Sequence, residues 1–78
     1  MELWTCNMRE CYKGEEILLG IFSERLKAEN QAQVWLAGNA NGAFEVIDSD
    51  EEYIFYRDSL GYHYTAHIEK YILNELSF

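Results

Sequence analysis

The chain reads as a small α+β domain, an antiparallel β-β-α-β-β sheet with one helix packed on one face. Three observations predict it: apolar runs at strand length near both ends, one strongly helical stretch between them, and glycine-bearing turns at the joints. Seventy-eight residues are enough for a single domain, taken here as 1–78, and no repeat or shift in composition marks a second one. At 49% hydrophobic and 15% aromatic residues the chain is too apolar to be an acidic disordered tail.

Leu3 to Met8 reads as the first strand, with reach as far as Tyr12, and Tyr12-Lys13-Gly14-Glu15 as a tight turn. Ile17-Leu18-Leu19-Gly20-Ile21-Phe22 is a continuous apolar run, the pattern of a strand covered on both faces or central in a sheet. Ser23 is placed as the helix N-cap, followed by Glu24 at the positive end of the helix dipole. From Glu24 to Ala37 the composition is helical, with Ala28, Ala32, Trp35 and Leu36 on one stripe and Gly38-Asn39 as the stop. Asn39 to Gly42 is a turn, and Ala43 to Ile47 leaves room for one extra short strand near Phe44.

Residues 50–57 carry opposing signals. Ser49-Asp50-Glu51-Glu52 matches a capping box and argues helix, whereas Tyr53-Ile54-Phe55-Tyr56 has strong strand propensity. The Asp58-Ser59-Leu60-Gly61 turn favours a hairpin. In the final segment, residues 62–74, Tyr62, Tyr64, Ala66, Ile68 and Ile72 share one face of a strand, and His63, Thr65, His67 and Glu69 the other. The rival is a C-terminal helix with Ile68, Tyr71, Ile72 and Leu76 on its stripe.

Charge limits what the chain can touch. Fourteen acidic residues face six basic ones, a formal net of -8, and Glu45, Asp48, Asp50, Glu51 and Glu52 fall in one stretch with no Lys or Arg. Arg9, Lys13, Arg25, Lys27, Arg57 and Lys70 are scattered, so counterion release opposes direct nucleic-acid binding, and an anionic membrane is repelled as well. No apolar run approaches the roughly 20 residues of a membrane helix. Cys6 and Cys11 without a leader-like start predict a cytoplasmic protein with reduced thiols.

For chemistry, the sharpest pattern is C-x4-C at Cys6 and Cys11 with H-x3-H at His63 and His67, intervals used by four-coordinate Cys2His2 zinc sites. About 50 residues separate the two pairs, so the plain expectation is no metal and no cofactor, with that tetrad as the alternative. A thiol nucleophile would need Cys6 or Cys11 beside His63 or His67 with an acid such as Glu69, and no glycine elbow supports it. The reading is therefore non-enzymatic. The acidic stretch is expected to engage a partner's basic surface, its carboxylates standing where phosphates would, with Tyr53, Tyr56, Tyr62 and Tyr64 as apolar anchors. The alternative is a structural or regulatory homodimer joined through a strand edge.

The run Ile17 to Ser23, the Lys27-Ala28 helix and the closing Ile68-Glu69-Lys70-Tyr71-Ile72-Leu73-Asn74-Glu75 resemble small uncharacterised bacterial and phage proteins. Some proteins of that kind are anti-CRISPR inhibitors of host defence. The resemblance implies an inhibitor that blocks a nucleic-acid-handling surface in the host cytoplasm, and it carries over no catalytic residue.

Overall fold

The computed structural model describes residues 2–72; the end of the resemblance at 73–75 and the Leu76 position of the rival helix lie outside them. The elements run β1 (Glu2–Glu10), β2 (Glu16–Phe22), α1 (Arg25–Asn39), β3 (Phe44–Ser49), β4 (Tyr53–Asp58) and β5 (His63–Ile72). All five strands form one antiparallel sheet in the order β2-β1-β5-β4-β3, the expected α+β architecture with its extra strand.

Period-two alternation decides which side chains meet the helix. Cys6 and Met8 of β1, Ile54 and Tyr56 of β4, and Tyr64, Ala66 and Ile68 of β5 point to one face and are buried. The helix returns Ala28, Ala32 and Leu36, one residue per turn. Two alanines on that stripe let the backbone settle close above β1, β2 and β5, while Trp35 closes the end edge-on to Tyr64 at 6.0 Å.

Local chemistry explains the departures from expectation. The apolar run of β2 lies at an edge, with Ile17, Leu18 and Ile21 exposed, because β1 pairs on its other side with β5. A bulge at Leu19 re-aims the strand, and a Cβ at Gly20 would lie 2.8 Å from the Phe22 ring. Glu24, not Ser23, is the N-cap, with no side-chain bond; its carbonyl accepts from the amide of Ala28 at 3.3 Å. Gly38 stays helical, and the helix closes one step later as the Ala40 amide donates to the Leu36 carbonyl at 2.8 Å.

The capping-box sequence is used in a hairpin instead. One carboxylate oxygen of Asp50 accepts from the amides of Glu52 and Tyr53 at 2.9 and 2.8 Å, and the Asp50 amide donates to the Tyr53 carbonyl at 2.8 Å. At the opposite end of β4, Asp58 is buried and gathers three segments. It accepts from Asn41 (amide and side chain, both 3.0 Å), from the amides of Leu60 and Tyr62 at 3.0 Å, and from the Tyr64 hydroxyl at 2.8 Å. Burial pushes that carboxyl up, but the bonds outweigh it and hold it well below the usual carboxylate range.

Candidate functional site

With one helix and five strands, the second sheet face has no covering layer among the described residues. Register lines its side chains up in rows. Glu16, Arg9, Thr65 and Phe55 stand across β2, β1, β5 and β4, and Leu18, Asn7, His67 and Tyr53 form the next row. Ile21, Thr5 and Glu69 follow, and then Leu3 beside Tyr71. This face divides into an aliphatic part toward β2 and an aromatic part toward β4.

The aromatic part is built by strand alternation. Tyr53 and Phe55 are two apart on β4, so both rings stand on the open face, stacked with centroids 6.1 Å apart. Across the ladder the Tyr53 ring lies parallel to the His67 imidazole, centroids 4.5 Å apart and planes 8° from parallel. Carboxylate oxygens of Glu69, Glu16 and Glu52 lie 3.6, 3.9 and 4.0 Å from the nitrogens of that imidazole, too far for hydrogen bonds. Arg9, Glu16, Tyr53, Phe55, Thr65 and His67 line an open groove of about 300 Å3.

The acidic stretch lies at the β3 edge and the β3–β4 turn. Glu45 is ion-paired with Arg57 at 2.7 Å, both largely exposed. Asp48 turns one oxygen to the amide of Ser49 at 2.9 Å, and Asp50 is occupied by the turn it organises. Glu51 and Glu52 project to solvent beside Tyr53. The structure thus gathers Asp50, Glu51, Glu52 and Tyr53 at the β3–β4 turn with Asp48 close by opposite Phe55, but sets Glu45 at the far end of the hairpin, opposite Arg57 and beside Asp58.

Tyr56 does not join them. It follows Phe55 and takes the opposite face, where it is 1% exposed against Phe44, so it serves the core and cannot be a surface anchor. Tyr64 is buried for the same reason, as the donor to Asp58, whereas Tyr62 is exposed and packs on Tyr12 at 4.8 Å.

The two cysteines and two histidines are not brought together. Cys6 lies on the helix face opposite Ile68, and His67 is on the other face of the same sheet. Burial pushes the Cys6 thiol up to about 11, which leaves it a small core residue rather than a nucleophile. Cys11 is exposed; its amide donates to the His63 carbonyl at 3.1 Å, and its sulfur lies 3.6 Å from the Thr65 hydroxyl. Among the described residues no group of His, Cys, Asp or Glu is arranged to hold a metal ion, and no helix is long and apolar enough to cross a membrane.

Reading the sequence placed His67, Thr65 and Glu69 on a common face but missed Glu16, Arg9 and Phe55 as their neighbours. The alternation of Tyr53 and Phe55 was a usable signal for one ring; the approach of Glu16 depends on β2 lying beside β1 with a bulge, which no local pattern encodes. Comparison with protein-family models, with curated proteins and with solved structures gives no match for this chain.

Proposed function

We propose that this chain acts by binding, not by catalysis, and that it engages the basic surface of a protein partner through the β3–β4 end of its sheet. The observation that carries the reading is the company of charges there. Asp48, Asp50, Glu51 and Glu52 follow one another through the end of β3 and the β3–β4 turn, next to the half-buried ring of Tyr53. Glu45 lies farther along the β3 edge in its pair with Arg57, and Arg25 and Lys70 line a hollow with Glu51 and Glu52. Carboxylates in that arrangement attract a partner over a Debye length, and an adjacent ring supplies the desolvated contact that charge alone lacks. A partner whose basic surface ordinarily holds DNA or RNA fits this chemistry, and occupying that surface makes the protein an inhibitor of the phage, host-defence type.

The test is an affinity capture from nuclease-treated bacterial lysate at low and high salt, beside a variant carrying Glu45→Gln, Asp48→Asn, Glu51→Gln and Glu52→Gln. Asp50 is left intact to spare the turn. The expected result is a nucleic-acid-handling protein retained at low salt, released by high salt or by added DNA, and lost with the variant. Capture of the same protein by the variant at the same salt would overturn the reading.

A second reading has one observation in its favour. The edge strand β2 exposes Ile17, Leu18 and Ile21 at 45, 57 and 60%, and no charge interrupts the run from Ile17 to Ser23. Such an edge invites pairing with a second copy. Light scattering over a concentration series separates the two: a mass fixed at 9.2 kDa removes the homodimer.

A further inference from the structure

We propose that the groove on the open sheet face is an arginine site, which takes the guanidinium of a side chain presented by the partner. The inference rests on the preceding reading that the partner is basic, and it names where and how one of its residues is held.

Three features of the groove select that group. Tyr53, Phe55 and His67 offer near-parallel rings on an uncovered face, and a planar, weakly hydrated guanidinium stacks on ring faces better than a compact ammonium does. Glu16 of β2 lines the groove itself, and Glu52 of the β3–β4 turn and Glu69 of β5, which line the adjoining hollow with Arg25 and Lys70, also reach within 4.0 Å of the imidazole. Thr65 adds a hydroxyl acceptor at the floor between Arg9 and Phe55. A forked donor with five N–H groups matches acceptors spread in this way.

Arg9 is the informative exception. It lines the same groove directly opposite Glu16, yet it makes no ion pair within 4.0 Å among the described residues. Around the His67 ring, Glu16 from the groove and Glu52 and Glu69 from the adjoining hollow outnumber this one unpaired base, which leaves acceptors there for a second cation. Arg9 therefore acts as the competitor already in place, and its removal strengthens binding. A site for an anion would behave in the opposite way.

The test is a 15N–1H NMR titration of the intact protein with N-acetyl-arginine N-methylamide at fixed ionic strength. The citrulline analogue, of the same shape but neutral, and the lysine analogue serve as comparisons. Saturable shifts are expected at Tyr53, Phe55, Thr65 and His67, with none from citrulline and weaker ones from lysine. Glu16→Gln, at a half-exposed side chain, should weaken affinity roughly threefold, as for one surface ion pair. Arg9→Met should tighten it. Glu45→Gln with Asp48→Asn should leave it unchanged, which separates this site from the acidic edge: arginine bound without any captured basic partner would sink the earlier reading and keep the groove. Equal shifts from citrulline or lysine, shifts confined to residues 45–51, or loss of binding in Arg9→Met would each overturn the proposal.

Discussion

Tyr53 and Tyr56 stand three residues apart on one strand, and truncating each to alanine should give opposite results. The Tyr56 ring is 1% exposed, opposite Tyr64 in the ladder, with Phe44 edge-on at 6.0 Å. A ring of that size buries about 150–250 Å2, which at about 25 cal/mol per Å2 sets an upper bound near 4–6 kcal/mol. Aromatic-to-alanine changes in cores cost about 3–5 kcal/mol, since neighbours on fixed strands collapse only in part. A chain of this length has about 4–12 kcal/mol of total stability. Tyr56→Ala should therefore lower the melting temperature by at least about 12 °C and leave a fraction of the chain unfolded at 37 °C. Tyr53 loses only a half-exposed stack on His67 and Phe55, worth about 1 kcal/mol. Its truncation should move the melting temperature by less than about 8 °C while weakening capture of a basic partner. Urea unfolding followed by the fluorescence of Trp4 and Trp35, with circular dichroism for the melt, reads both variants. If Tyr56→Ala loses no more stability than Tyr53→Ala, the ring is not a core element and the division of the two sheet faces is wrong.

Two further outcomes follow from the titratable groups. Because the bonds around Asp58 depress its carboxyl, the stability it supplies is present above its ordinary value of 3.8 and drains away as pH falls below it. Asp58→Asn should flatten the dependence of melting temperature on pH between about pH 4 and 2, and parallel curves for wild type and variant would show that the network does not govern acid unfolding. The thiols should react with Ellman's reagent in two classes, exposed Cys11 promptly and Cys6, buried with a thiol pushed up to about 11, only on unfolding. A single fast phase of two thiols in the native protein would contradict the packing of β1 against the helix.

What the sequence made legible follows from the range of each interaction. The helical stripe Ala28, Ala32, Trp35, Leu36 and the alternation of β5 are written in side-chain periodicity, so both were readable. The place of β2 was not, because an apolar run looks alike at the centre of a sheet and at an edge whose exposed residues lie beside an uncovered face. Ser49 to Glu52 satisfies a helix start and a hairpin turn equally well in local terms; the pairing of β4 with β3 on one side and β5 on the other decides for the hairpin. The same limit applies to the candidate site. Asp48 to Tyr53 are neighbours both in sequence and in space, while Glu45 is carried to the far end of the hairpin and the groove joins residues of four strands.

The sheet order has a kinetic side. Its central ladder, β1 with β5, joins the two ends of the described chain in nine successive pairs from Glu2–Ile72 to Glu10–Tyr64. The flanking hairpins, β1–β2 and β3–β4, are local and can close within microseconds, and the helix can settle on the first of them, but the two halves share no core until β5 arrives between them. On a ribosome the two half-sheets therefore stay unjoined until β5 has left the exit tunnel. Losing that strand would not trim an edge; it would split the molecule into two hairpins with no common core.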